Sequence, residues 1–197
     1  LGLKGISKDQ VSRICKELAG QGTARIANVR YDLTFNTTTA KTRTINMSMT
    51  FDTQGSGPVL LSLPVWTPGA YEVSYFDKKI LSFQPTSAGK PLKGDKTSYS
   101  KYRIQNGPAK NIRIDYVFLA DTLDNAMAWS KPDFLLVNGT NVFLSHDTGP
   151  LSVPATVTVH PEPPWEVLTP PAAAGTADTV RENTPDHRRA LPLSDGR

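Results

Sequence analysis

The sequence predicts an all-β protein: an antiparallel β-sandwich with a short N-terminal helix and a disordered C-terminal tail. Three observations carry this. Apolar and polar residues alternate through several short segments, most clearly at Ile112, Ile114, Tyr116 and Phe118, and that period belongs to strands with one buried face. Sixteen Pro and fourteen Gly in 197 residues break the chain into short pieces, as sandwiches require. Helical periodicity is confined to residues 1–18.

The predicted helix comes first. Ser7-Lys8-Asp9-Gln10 has the form of a capping box, with Ser7 as N-cap and Gln10 at N3, and Ile6 and Val11 occupy the staple positions. Val11, Ile14, Cys15 and Leu18 then recur on one helical face, with Arg13 and Lys16 off it. Gly20 and Gly22 end the helix and act as a hinge.

The β body is expected over residues 26–169. Val29, Tyr31, Leu33 and Phe35 share one face of the first strand. Ile45, Met47, Met49 and Phe51 alternate with polar residues in the second. A turn over residues 52–58 leads to the apolar run Val59-Leu60-Leu61-Ser62-Leu63. The stretch from Tyr71 to Phe83 carries the chain to a polar loop between Ser87 and Lys96, and residues 99–104 form a strand. Asn106-Gly107 is a hairpin signal, although Pro108 and the distance to Asn111 favour a longer loop. The Ile112–Phe118 face follows, then strands at residues 141–145 and 153–159. Between Asp121 and Asn138 the pattern loosens, and Asp121, Asp124 and Asp133 read as solvated loop carboxylates because their spacing is not that of a calcium loop. Three N-x-S/T sequons occur, at Asn36, Asn46 and Asn138.

The most distinctive segment is Leu63-Pro64-Val65-Trp66-Thr67-Pro68-Gly69-Ala70-Tyr71. A strand runs straight into a rigid, aromatic-bearing loop. Pro68 presets φ and Gly69 supplies the positive φ of a type II turn. Together with Tyr31-Asp32-Leu33, Phe76-Asp77, Ile112-Arg113-Ile114-Asp115-Tyr116, Asn138-Gly139-Thr140-Asn141-Val142-Phe143-Leu144 and Pro164-Trp165-Glu166-Val167, it resembles the N-terminal domain of the glycyl aminopeptidase-like zinc metallopeptidases, a family that often carries a PDZ domain. The resemblance implies a non-catalytic domain that packs against a zinc-bearing catalytic domain. Trp66, Pro68, Gly69 and Tyr71 are the candidates for the interface or cleft wall, since rigid aromatics give large contact area at low entropic cost.

Catalytic motifs are missing from the sequence itself. It holds no H-E-x-x-H, no phosphate loop and no G-x-S-x-G elbow. His146, His160 and His187 are far apart in the chain, so no catalytic or metal residue is assigned. The cofactor implied by the resemblance, zinc, belongs to the catalytic domain. Cys15 is the one cysteine, which excludes an intramolecular disulfide. The net charge of +4 is mild and comes partly from the N-terminal helix and the tail, so it does not mark a nucleic-acid groove. No apolar run approaches the ~18 residues of a membrane span. No signal peptide is read at the N-terminus, which places the chain as written in the cytoplasm, while the parent protein would be free to be exported.

The two ends read differently from the body. The segment Gly5-Ile6-Ser7-Lys8-Asp9-Gln10-Val11-Ser12-Arg13-Ile14-Cys15-Lys16-Glu17-Leu18 resembles the helix-turn-helix part of Mutator-type insertion-sequence transposases. That resemblance covers residues 1–20 and makes Ser7, Gln10, Ser12 and Arg13 candidate DNA contacts. A lone helix near the ~12–15-residue limit of stability reads first as a loosely docked amphipathic helix. At the other end, Pro170-Pro171-Ala172-Ala173-Ala174-Gly175 forms a linker. Residues 176–197 lack the apolar content to offset ordering entropy and are expected to be disordered. A natural linker is one explanation of this tail; foreign-looking residues at both ends favour the other, a damaged gene translated out of frame after Thr169.

The expected organisation is therefore a transposase-like helix at 1–22, the peptidase N-terminal β-domain at 26–169 and a tail at 170–197. The first functional expectation is a truncated accessory domain, inactive alone. Its partner would be the missing catalytic domain, and the exposed interface would promote self-association. A second is a stand-alone module binding peptides or glycans through Trp66, Tyr71, Tyr75 and Trp129; an unchanged tryptophan fluorescence across a glycan panel would sink it. A third is DNA binding through residues 1–20, which a gel shift absent at low salt eliminates.

Overall fold

The computed structural model describes residues 22–55, 57–66, 73–123, 127–148 and 153–168, together with the backbone of Thr179–Glu182. In chain order the elements are β1 (Arg25–Phe35), helix α1 (Thr37–Thr42), β2 (Thr44–Gln54), β3 (Val59–Ser62), a 3-10 turn (Phe76–Lys79), β4 (Ile80–Ser87), β5 (Lys90–Pro91), β6 (Gly94–Lys96), β7 (Lys101–Ile104), β8 (Asn111–Leu119), β9 (Trp129–Lys131), β10 (Phe134–Leu136), the helical turn α2 (Gly139–Val142), β11 (Ser145–His146), β12 (Ala155–Pro161) and β13 (Thr179–Glu182).

Seven strands form the main sheet in the order β13-β12-β1-β2-β8-β4-β5, four form a second sheet in the order β11-β3-β7-β6, and β9 and β10 make a separate hairpin. The pairs β1/β12 and β12/β13 run parallel, and the rest run antiparallel. No helix among the described residues is long and apolar enough to cross a membrane.

Strict alternation builds the core. Tyr31, Leu33 and Phe35 of β1, Ile45, Met47, Met49 and Phe51 of β2, and Ile112, Ile114, Tyr116 and Phe118 of β8 all face inward and are buried. Val59 and Leu61 of β3 and Tyr102 and Ile104 of β7 meet them from the second sheet in one continuous cluster. Phe83 of β4 stacks on Tyr102 of β7, centroids 4.6 Å apart, and so joins the two layers. Burying each such side chain contributes roughly 1.5–3 kcal/mol, and these three alternating strands supply about half of the buried apolar residues.

Two buried tyrosines tie the chain between α2 and β11 to this core. The Tyr31 hydroxyl donates to the Leu144 carbonyl at 2.6 Å, and the Tyr116 hydroxyl donates to the Val142 carbonyl at 2.8 Å. At the edge of the core the approach of backbone is close. A Cβ on Gly57 would sit 1.8 Å from the Gly22 carbonyl oxygen, so only glycine fits there.

Several expectations are corrected. Residues 141–145 do not form a strand; Asn138 accepts from the Thr140 amide at 3.1 Å and starts the α2 turn, leaving Ser145–His146 as β11. The Asn106-Gly107 pair lies in a longer loop, as Pro108 suggested, but that loop does not close a hairpin. It lies between β7 and β8, which belong to different sheets, and Asn106 is buried, its amide donating to the Gly55 and Gly57 carbonyls at 3.3 and 3.2 Å. The strand expected from Tyr99 begins at Lys101 after a bend over residues 98–100. The loosely patterned stretch after Asp121 contains the β9/β10 hairpin, pinned by the Trp129–Phe134 ring pair at 6.0 Å. Asp121 is not a free loop carboxylate: Lys79 donates to it at 2.6 Å, holding its carboxyl below the usual range. Two sequon asparagines are helix caps. Asn36 accepts from the Thr39 amide at 2.9 Å while Thr39 Oγ1 accepts from the Asn36 amide at 2.8 Å, and Asn138 caps α2.

The predicted N-terminal helix at residues 1–18 lies outside the described residues. The tail expected to be disordered departs from that expectation at Thr179–Glu182, whose backbone pairs in parallel with Thr156–Val159 of β12. The physical reason is an edge: β12 otherwise presents a free row of backbone groups, which a further strand satisfies. The remainder of 169–197 lies outside the described residues.

Candidate functional site

The Trp66 segment leaves the second sheet at the end of β3. β3 ends at Ser62, and the Leu63 amide donates to the Ser100 carbonyl at 3.1 Å, holding the chain against the β7 side. The Ser74 amide then donates to the Val65 carbonyl at 2.8 Å. That bond holds Val65 and Ser74 together, so Trp66 and Val73 form a braced neck. Trp66 is 53 % and Val73 51 % exposed. The indole and the Val73 side chain together stand open to solvent at a braced neck.

Beside the neck lies a small aromatic platform. Tyr75 and Tyr99, both about half exposed, meet edge to face with centroids 5.8 Å apart. The Lys78 ammonium sits 4.3 Å from the Tyr75 ring centroid. The 3-10 turn supports this platform from below: Phe76 is fully packed in the core, and Asp77 is buried beside it. Lys96 of β6 donates to Asp77 Oδ2, while Asp77 Oδ1 is buried without a hydrogen-bond partner among the described residues. Burial, and secondarily the Asp77 charge, pushes the Tyr102 hydroxyl up to about 12. The Asp77–Lys96 pair thus fixes the 3-10 turn that follows Tyr75 to the second sheet.

Of the residues singled out from the sequence, Trp66 is placed at this neck. Pro68, Gly69 and Tyr71 lie outside the described residues, as do Ser7, Gln10, Ser12 and Arg13. Of the four aromatics offered as a glycan platform, Tyr71 lies outside the described residues; Tyr75 pairs with Tyr99, and Trp129 pairs with Phe134 and carries Lys131 4.6 Å over its ring. Tyr99, Lys78 and Lys96 were not singled out. Tyr99 reaches the neck only because Ser100 bonds to Leu63, a contact between residues far apart in sequence.

The sequence matches the family described as the peptidase M61 N-terminal domain over residues 30–189. The chain belongs to the peptidase M61 N-terminal domain family. The match runs past Thr169 and includes β13. Among solved structures, an aminopeptidase N family protein from Idiomarina loihiensis aligns with a TM-score of 0.60 at 23% identity, covering 68% of this chain and 22% of that one. An M1 zinc metallopeptidase from Deinococcus radiodurans aligns at 15% identity with a TM-score of 0.41, covering 71% of this chain and 32% of that one. At such identities the first likeness speaks to the fold alone. The M61 N-terminal domain therefore spans about a fifth of the length of the Idiomarina protein, on the 22% coverage. No curated protein matches the chain.

Zinc does not fit the described residues of this M61 N-terminal domain. His146 Nε2 is engaged with the Ala24 carbonyl at 3.1 Å, and burial holds its imidazole below the ordinary range. His160 Nε2 meets Asp32 Oδ1 at 2.8 Å. The two histidines stand on β11 and β12, in different sheets. No group of three His, Cys, Asp or Glu suited to a metal ion occurs among the described residues.

Proposed function

We propose that this chain is the non-catalytic β-domain of a zinc-dependent aminopeptidase, and that its Trp66 neck docks against a catalytic domain and walls its cleft. The observation that carries the reading is Trp66 itself, 53 % exposed at a neck braced by the Ser74–Val65 hydrogen bond. Val73, Tyr75 and Tyr99 extend the same apolar surface. Central aromatics surrounded by such contacts are what binding hot spots consist of. The family match supports the partner's identity, because it concerns the N-terminal domain of a peptidase. On this reading the chain alone does not cleave peptides, and bond breaking belongs to groups of the partner.

The test is binding in trans. The purified chain is titrated into a separately expressed M61 catalytic domain, and binding is followed by calorimetry. Association is expected, with Trp66→Ala weakening it by about 2 kcal/mol or more. No association, or a chain that hydrolyses aminoacyl anilides alone with added zinc, overturns the proposal.

A further inference from the structure

The face of the main sheet turned away from the core is a trough of about 750 Å3. It crosses β12, β1, β2, β8 and β4, five strands that span roughly 19 Å at the usual spacing. The side chains in it are those that alternate with the core set, and the strand register arranges them in rows. Asp32, Ser48, Asp115 and Gln84 stand opposite one another in one row. His160, Thr34, Asn46, Val117 and Ser82 form the next.

The charges in the trough are spent on each other. Asp32 meets His160 at 2.8 Å, and Arg113 bridges to Asp115 at 2.8 Å. With two carboxylates against one guanidinium and one imidazole, the face carries a net charge between zero and minus one. The side-chain amides of Asn46 and Gln84 are exposed and make no hydrogen bond among the described residues. Half-buried Val117 lies between Asn46 and Ser82, an apolar floor between polar groups.

We propose that this trough binds a neutral, hydroxyl-rich chain, an uncharged oligosaccharide. The argument is one of complementarity. Free amides offer paired donors and acceptors in a plane, which match neighbouring hydroxyls, and Val117 meets the apolar C–H face of a sugar ring. A polyanion is disfavoured by the two carboxylates. A peptide has no strand edge to join here, because β1, β2 and β8 are each paired on both sides. This site is separate from the Trp66 neck and does not rest on the docking proposed there.

The experiment is a nitrogen-edited NMR titration of the full chain with short cello-, xylo-, manno- and chito-oligosaccharides, and with a sulfated oligosaccharide as the charged comparison. At least one neutral sugar is expected to shift the side-chain amide signals of Asn46 and Gln84. The double variant Asn46→Ala/Gln84→Ala should weaken that binding by about tenfold or more with an unchanged melting temperature, since both side chains are exposed. The proposal is overturned if no neutral sugar shifts those signals, if the double variant binds as before, or if the sulfated sugar binds more tightly than its neutral counterpart.

Discussion

Lys96 and Asp77 join β6 to the 3-10 turn through an ion pair whose two ends differ in burial: the Asp77 side chain is 2% exposed and the Lys96 side chain 43%. The asymmetry decides what each substitution does. Lys96→Met leaves a buried carboxylate unpaired and is expected to cost about 2–3 kcal/mol, less than the ~3–5 of a fully buried pair because Lys96 is partly solvated. Asp77→Asn leaves an ammonium that can turn to water, and should cost about 1 kcal/mol. The double variant Asp77→Leu/Lys96→Met should recover most of the loss. Urea unfolding of the three variants checks the order; a larger loss for Asp77→Asn than for Lys96→Met would contradict it.

The tyrosines set an alkaline limit. Burial raises the hydroxyl pKa of Tyr31 and Tyr116, and raises that of Tyr102 to about 12 with help from the Asp77 charge. These folded values lie above the unfolded value of about 10. The folded state thus holds more protons than the unfolded one between them. Their stabilisation is complete below about pH 10 and is lost as pH rises through the folded values. Tyr116→Phe should flatten that alkaline fall while costing roughly 1–3 kcal/mol at neutral pH, because the Val142 carbonyl loses its donor. Urea midpoints from pH 7 to above about 10 measure both effects, and a wild-type curve flat across that window would refute the assignment.

Helix α1 depends on its cap. Asn36 and Thr39 exchange side-chain and backbone bonds at 2.9 and 2.8 Å, and Glu162 accepts from the Thr37 amide and hydroxyl at 2.5 and 2.6 Å. Those bonds hold the exposed Glu162 carboxyl below its ordinary range. A folded value lowered in this way gives stability that is present above the unfolded value, near pH 4.3 by the reference range (about), and lost as pH falls. Asn36→Ala is expected to cost about 1 kcal/mol, and Glu162→Gln to blunt the acid-side loss while leaving the alkaline side unchanged. Melting temperatures between about pH 3 and 7 check both; an Asn36→Ala protein as stable as its parent would show that the cap carries nothing.

What the sequence disclosed follows from which contacts are local. β1, β2 and β8 were legible because Tyr31, Met47 and Ile114 each sit in a run with one buried face. β4 was not: Ile80, Ser82 and Phe83 are all half-buried and a bulge interrupts the pairing with β8, so the period of two breaks. The α2 turn was hidden by Val142, Phe143 and Leu144, an apolar run that tertiary contacts from Tyr31 and Tyr116 hold in place. At the site, Trp66 announced itself through its Pro- and Gly-rich neighbours. Tyr99 and Lys96 did not, and Asp77 entered only within the Phe76-Asp77 pair of the resemblance, because their roles arise from β3 meeting the residues before β7, and from β6 reaching the 3-10 turn.

The exposed neck predicts association. Trp66, Val73, Tyr75 and Tyr99 place about half of each side chain in water, and an apolar surface of this kind lowers its free energy by covering itself. Without a catalytic domain present, a second copy of the chain is the available cover. Sedimentation at rising concentration is expected to show self-association, and Trp66→Ser should shift the equilibrium toward monomer by about tenfold or more, the weight of a single interfacial aromatic. The substitution should leave the core untouched, since Trp66 lies outside the buried cluster, so the melting temperature of the monomer serves as the control. A wild-type chain that stays monomeric at high concentration would remove this expectation, and self-association that Trp66→Ser leaves unchanged would move the contact to another surface, such as the exposed Leu123, Phe134 and Leu136 around the β9/β10 hairpin.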